Sequence, residues 1–103
     1  MQDLVNQLRI DLPKKFAPLE SKAIIDRGLS GMHLTTPPIL LEGVKLDPKE
    51  LAQTQIDLNR MLSQTPIEVK LKDKKQLRIL ALDLVVTSSG LVYLADLPDA
   101  EFF

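Results

Sequence analysis

From Gln76 to Thr87 the chain reads Gln-Leu-Arg-Ile-Leu-Ala-Leu-Asp-Leu-Val-Val-Thr, a β-prone run with little polar relief. Leu80, Leu82, Leu84 and Val86 alternate onto one face, and Leu77, Ile79, Ala81 and Val85 make most of the other. A strand that is apolar on both sides needs a layer against each of them, so this run is expected to be the central strand of a sheet. Its neighbours in sequence support a meander. Before it, Ile67, Val69 and Leu71 alternate with Glu68, Lys70 and Lys72, the pattern of a strand with one wet face, and Asp73-Lys74-Lys75 supplies the turn. After it, Ser88-Ser89-Gly90 turns the chain into a strand from Leu91 to Leu94 that ends near Pro98, leaving residues 97–103 as a C-terminal tail.

The first half mixes helix and short extended pieces. Met1, Leu4, Val5, Leu8 and Leu12 recur at spacings of three and four, which predicts an amphipathic helix over 2–12 that Pro13 stops. Lys14 to Pro18 reads as a linker, so residues 1–12 form a helix able to detach from the rest. Leu19, Ala23 and Ile24 up to Gly28 suit a second short helix, while Ile24-Ile25 fits a strand equally well. Gly28 and Gly31 bracket a turn, Met32 to Thr36 alternates as a short strand, and Pro37-Pro38 breaks the ladder before Ile39 to Leu46 resumes it, with Gly43 marking a bulge. Asp47-Pro48-Lys49-Glu50 combines a capping aspartate, a proline at the first helical position and a glutamate three residues after the cap. A helix starts there; Leu51, Leu58 and Leu62 share a face and Ile56 does not, which leaves open two shorter segments or a strand over Thr54 to Leu58. The sum is a single α+β domain, 1–103, with a three- to four-stranded, mostly antiparallel sheet and two to three helices.

With 103 residues, 45% apolar and 26% charged, the chain has the means to bury one core. Thirteen basic and 14 acidic residues give a net charge of -1, which removes the long-range pull that nucleic acid exerts on basic proteins. The aromatic set of Phe16, Tyr93, Phe102 and Phe103 is too thin for a base-stacking platform. The absence of cysteine excludes disulfides and thiolate chemistry and points to a reducing, cytoplasmic setting. The opening Met1 to Arg9 is too polar for a secretory leader, and no stretch reaches the ~20 apolar residues of a membrane span.

Local motifs for catalysis are missing. His33 is the sole histidine, near Ser30, Thr35 and Thr36, and no phosphate-binding glycine loop accompanies Gly28 and Gly31. The expectation is therefore no catalytic residue, no metal and no cofactor. Asp83 interrupts an apolar face between Ala81 and Val85; a carboxylate there sits at a rim set by a bulge or a basic neighbour, or it lines a pocket. Lys70, Lys72, Lys74, Lys75 and Arg78 gather positive charge around one hairpin, either as protection of a strand edge or as a docking patch for an acidic partner, RNA or lipid headgroups. The N-terminal stripe through Leu4 and Leu8 and the final Phe102-Phe103 either pack internally or attach to something else. The candidate contact residues are Leu4, Leu8, Lys70, Lys72, Arg78, Asp83, Phe102 and Phe103.

Ile39-Leu-Leu-Glu-Gly-Val-Lys-Leu-Asp-Pro48, Ile56-Asp-Leu-Asn-Arg-Met-Leu62 and the long run from Leu77 to Val92 follow one another in an order that resembles the C-terminal part of the bacterial LmeA-like phospholipid-binding family. The resemblance would cover about two thirds of the chain and implies a lipid-binding role, but it carries no binding residue onto a position here. Read from its own residues, the chain is a non-enzymatic protein-binding or assembly module working with another protein or as a homodimer. The alternative is a carrier of an apolar ligand or phospholipid, and a small enzyme comes third.

Overall fold

The computed structural model describes residues 2–27 and 33–103; the turn read over Gly28 to Gly31, Met32 and Ser30 lie outside them. Two long strands set the architecture. β5 (Gln76–Val86) and β6 (Val92–Phe102) pair antiparallel along their whole length. β4 (Ile67–Lys70) joins the other edge of β5, β2 (Leu34–Thr35) and β3 (Ile39–Leu40) both pair with β6, and β1 (Ile25–Asp26) pairs with β2. The sheet is antiparallel at every pairing, in the order β1-β2-β6-β5-β4. Among the described residues it has six strands, more than the three or four expected, because the segments around Ile25, Leu34 and Ile39 each add two residues to the edge. Together with two α-helices this is one α+β domain, whose Cα radius of gyration of 12.9 Å matches the ~13 Å of a compact chain this long.

The β5–β6 register explains which side chains are inside. Leu77↔Phe102, Arg78↔Glu101 and Ile79↔Ala100 run regularly, but the next partners are Ala81↔Asp99, Asp83↔Asp96 and Leu84↔Leu94. β5 thus carries an extra residue before Ala81, and β6 carries extras on either side of Asp96. Each such bulge moves the side chains beyond it to the opposite face. The core positions are accordingly Leu77, Ile79, Leu82 and Leu84 on β5, and Val92, Leu94, Leu97 and Ala100 on β6. The two apolar faces inferred from strict alternation are one face with a skipped place: Leu80 and Ala81 are only half-buried and Val85 is 44% exposed.

Pro98 lies inside β6, at one of these irregularities, where the missing N–H costs no regular ladder bond. Residues 97–102 therefore continue a strand instead of forming a tail. Phe103 is tied down as well, its N–H donating to the Gln76 carbonyl at 3.0 Å.

Both helices serve the core face. α1 (Gln2–Phe16) runs through Pro13, which sits near its end, and buries Val5, Leu8, Leu12 and Phe16 completely or almost so. Its stripe continues one turn further than 2–12, and this depth of burial is the opposite of what a detachable helix would show. Gly43 lies close against α1: a Cβ there would stand 2.8 Å from Gln7 Nε2, so the end of that side chain would have to move aside. α2 (Leu51–Gln64) is one continuous helix that buries Leu58 and Leu62. Its entry follows the sequence grammar: the Asp47 carboxylate accepts from the Lys49 N–H at 2.9 Å, Pro48 opens a 3-10 turn over Pro48–Glu50, and Leu51 begins the α-helix.

The side of β5 that β4 leaves open is met by α2. Asn59 Oδ1 accepts from the Leu82 N–H at 3.0 Å and Gln55 Oε1 from the Leu84 N–H at 2.8 Å, while Gln55 Nε2 donates to the Leu82 carbonyl. Two amide side chains take the place of a neighbouring strand.

Candidate functional site

The structure separates the candidate contact residues into three groups. Leu8 has no exposed surface, and Leu4 is half-buried against the core, so the N-terminal stripe is packing and Leu8 can contact no partner. Lys70, Lys72, Arg78, Phe102 and Phe103 come together at the β4–β5 hairpin end of the sheet. Asp83 lies further along β5, on the face without helices.

At the hairpin end, Lys70 pairs with Gln76 across the strands, Lys72, Lys74 and Lys75 occupy the turn, and β6 ends alongside at Phe102 and Phe103. All four lysines are exposed, and none forms an ion pair among the described residues. Phe102 is 41% and Phe103 52% exposed. Arg78 is different: it holds Glu101 at 2.9 Å and Glu68 at 3.3 Å across three strands, and its guanidinium sits 4.3 Å from the centroid of the Phe103 ring. Its charge is thus spent locally, and it positions Phe103 instead of facing outward alone.

The turn is braced from behind. The Lys72 N–H donates to the Leu19 carbonyl at 2.8 Å, and Ser21 donates to the Asp73 carboxylate through both its N–H and its hydroxyl. The Ser21 hydroxyl bond holds the Asp73 carboxyl below its ordinary range. Between this 3-10 segment (Ser21–Ala23) and the hairpin lies a notch of roughly 320 Å³ lined by Ser21, Lys22, Lys75 and Phe102. A lining of one aromatic ring and two lysines suits a partner that is apolar and acidic.

The second cluster stands on the outer face of the sheet. Asp83 and Asp96 are opposite each other across β5 and β6. Asp96 accepts from the Thr35 hydroxyl at 3.0 Å and from the Leu97 N–H at 3.0 Å, and lies 2.6 Å from His33 Nε2. Burial works against the Asp96 charge, but the hydrogen bonds from His33, Thr35 and Leu97 prevail and keep its carboxyl below the usual range. Asp83 has no hydrogen-bonding or ion-pair partner among the described residues, and its carboxyl is pushed up by burial and by the Asp96 charge, with His33 partly offsetting both. Among the described residues no group of three His, Cys, Asp or Glu side chains could hold a metal ion.

The two carboxylates have opposite linkage to stability. Asp83, raised in the fold, is a burden while ionised that is relieved as pH falls through its folded pKa toward the unfolded value; Asp96, lowered, contributes stability that is lost as pH falls through its folded pKa. Asp83→Asn is therefore expected to stabilise the protein at neutral pH, with the gain shrinking toward about pH 4, where the unfolded wild-type carboxyl also protonates. Urea denaturation of both proteins across that range checks it. A gain that stays constant with pH would mean that Asp83 does not carry the strain.

Sequence reading found Asp83 but not its setting. His33 and Asp96 are 63 positions apart and meet only because β6 continues past Leu94. The polar Asp96 inside that strand was the available signal. No helix is long and apolar enough to cross a membrane among the described residues. Comparison of the chain with protein-family models, curated proteins and solved structures finds no match.

Proposed function

We propose that this chain is a non-enzymatic binding module that docks a protein partner at the hairpin end of its sheet. The observation that carries the reading is the convergence of four lysines without ion-pair partners among the described residues and two exposed phenylalanines around a turn braced by Leu19 and Ser21. Lysines by themselves would serve to protect a strand edge, but here they stand beside two exposed aromatic rings. A braced, apolar and cationic corner loses little freedom on binding, which favours its use as a docking site. The carrier reading lacks comparable support, because the inward positions of β5 and β6 are filled by core side chains.

Lysine acetylation footprinting tests this. In a clarified, membrane-free extract of the source cells, labelling of Lys72, Lys74 and Lys75 is expected to fall at least about threefold relative to dilute protein in buffer. Lys45 and Lys49, exposed ahead of α2, serve as controls, and cross-linking at Lys75 then identifies the partner. Equal labelling in both conditions overturns the reading. Protection that requires added phosphatidylglycerol vesicles assigns the corner to lipid headgroups and overturns it too.

A further inference from the structure

The hairpin end has a complement on the same molecule. Both helices pack on the core face, and among the described residues the other face of the sheet exposes Ile25 (57%) and Val85 (44%), with Tyr93 half-buried beside Val85 in register. Carboxylates gather at the middle of that face, while Arg78 and Lys70 stand on the same side nearer the hairpin. Asp83 stands opposite Asp96, and Asp99 is opposite Ala81 one step nearer the hairpin. Neither Asp83 nor Asp99 has a hydrogen-bonding or ion-pair partner among the described residues. His33 is the basic side chain in contact with this group, through Asp96. Asp83 is seven residues along β5 from Gln76, about 23 Å at the rise of an extended strand, so one molecule cannot bring its own lysines onto it.

We infer that the helix-free sheet face of one copy docks the lysine- and phenylalanine-bearing hairpin end of a second copy, head to tail. This rests on the reading of that end as a docking site and names its occupant. Charge selects the geometry. A symmetric pair centred on Asp83 and Asp96 would set these carboxylates against themselves, and one centred on the hairpin ends would oppose the four lysines. The unlike pairing brings opposite charges together while covering apolar side chains on both surfaces. A heterologous contact of this kind leaves a free hairpin end and a free sheet face on every dimer, so it propagates instead of closing.

Two variants of the full chain test the inference by sedimentation. Wild type at about 0.05 M salt is expected to show a mass that rises with concentration past that of a dimer, with association weakened at about 0.5 M salt. Asp83→Lys spoils the face and leaves the hairpin intact; Lys72→Gln with Lys75→Gln spoils the hairpin and leaves the face intact. Each alone should associate at least about tenfold more weakly than wild type. Mixed in equal amounts, they should form a dimer that grows no further, because each contributes the one good surface the other lacks. That recovery also shows that both variants are folded. A wild type that stays monomeric overturns the inference, as does a dimer insensitive to both variants or a mixture that gains nothing. Monomeric wild type combined with lysine protection in the extract would sink self-docking alone and leave the binding-module reading standing; absence of both would remove the two together.

Discussion

Leu82→Ala is expected to lower the unfolding free energy by about 2–5 kcal/mol, toward the upper part of that range. Leu82 is fully buried on the core face just past the β5 bulge. Its backbone N–H and carbonyl are held by Asn59 and Gln55 of α2, so the strand cannot move inward to fill the space left by the side chain. A cavity that cannot collapse gives the larger penalties. Val85→Ala, on the exposed side of the same strand, is the control and should change stability by no more than about 0.5 kcal/mol. Equilibrium denaturation separates the two. A loss below about 0.5 kcal/mol for Leu82→Ala would place the core face elsewhere.

A chain beginning at Lys14 should fail to fold cooperatively. Such a chain lacks Val5, Leu8 and Leu12, each buried to within 1%. At about 1.5–3 kcal/mol for each aliphatic side chain removed from the core, the total approaches the 5–15 kcal/mol of a typical domain. Arg9 is lost as well, and it donates to the Thr65 and Pro66 carbonyls between α2 and β4. The measurement is a thermal melt followed by circular dichroism. A sharp transition close to that of the full chain would show that α1 is dispensable after all.

The parts of this fold legible in sequence were those governed by local chemistry. Asp47-Pro48 announces a helix start because the cap and the fixed φ act within a few residues, and the hairpin from Ile67 to Val86 follows from alternation around a polar turn. What escaped was non-local. Strict alternation put Leu80 with Leu82 and Leu84, whereas the bulge puts Leu77 and Ile79 with them, and a bulge is specified by the pairing strand as much as by the bulged one. Pro98 suggested the end of β6 because proline interrupts a regular ladder; the ladder is already irregular at that point. Pro13 suggested the end of α1 for a similar reason, yet the helix persists to Phe16, whose ring is wholly buried. Of the site, the lysines and phenylalanines were visible as residue types, but their convergence depended on β6 reaching Phe102. The Asp83–Asp96 opposition needed the register itself.

The amide pair on α2 also bears on solubility. An eleven-residue strand rich in leucine and valine, left with an open flank, would template the addition of foreign strands and seed fibrous precipitates. β4 covers this flank only as far as Ile79, and the stretch beyond it is where Gln55 and Asn59 occupy the Leu82 and Leu84 backbone groups. A helix side chain can satisfy such groups without offering a further ladder on its other side, so pairing stops there. Gln55 and Asn59 thus act as terminators of sheet growth, keeping the most aggregation-prone stretch of the chain from propagating through its backbone.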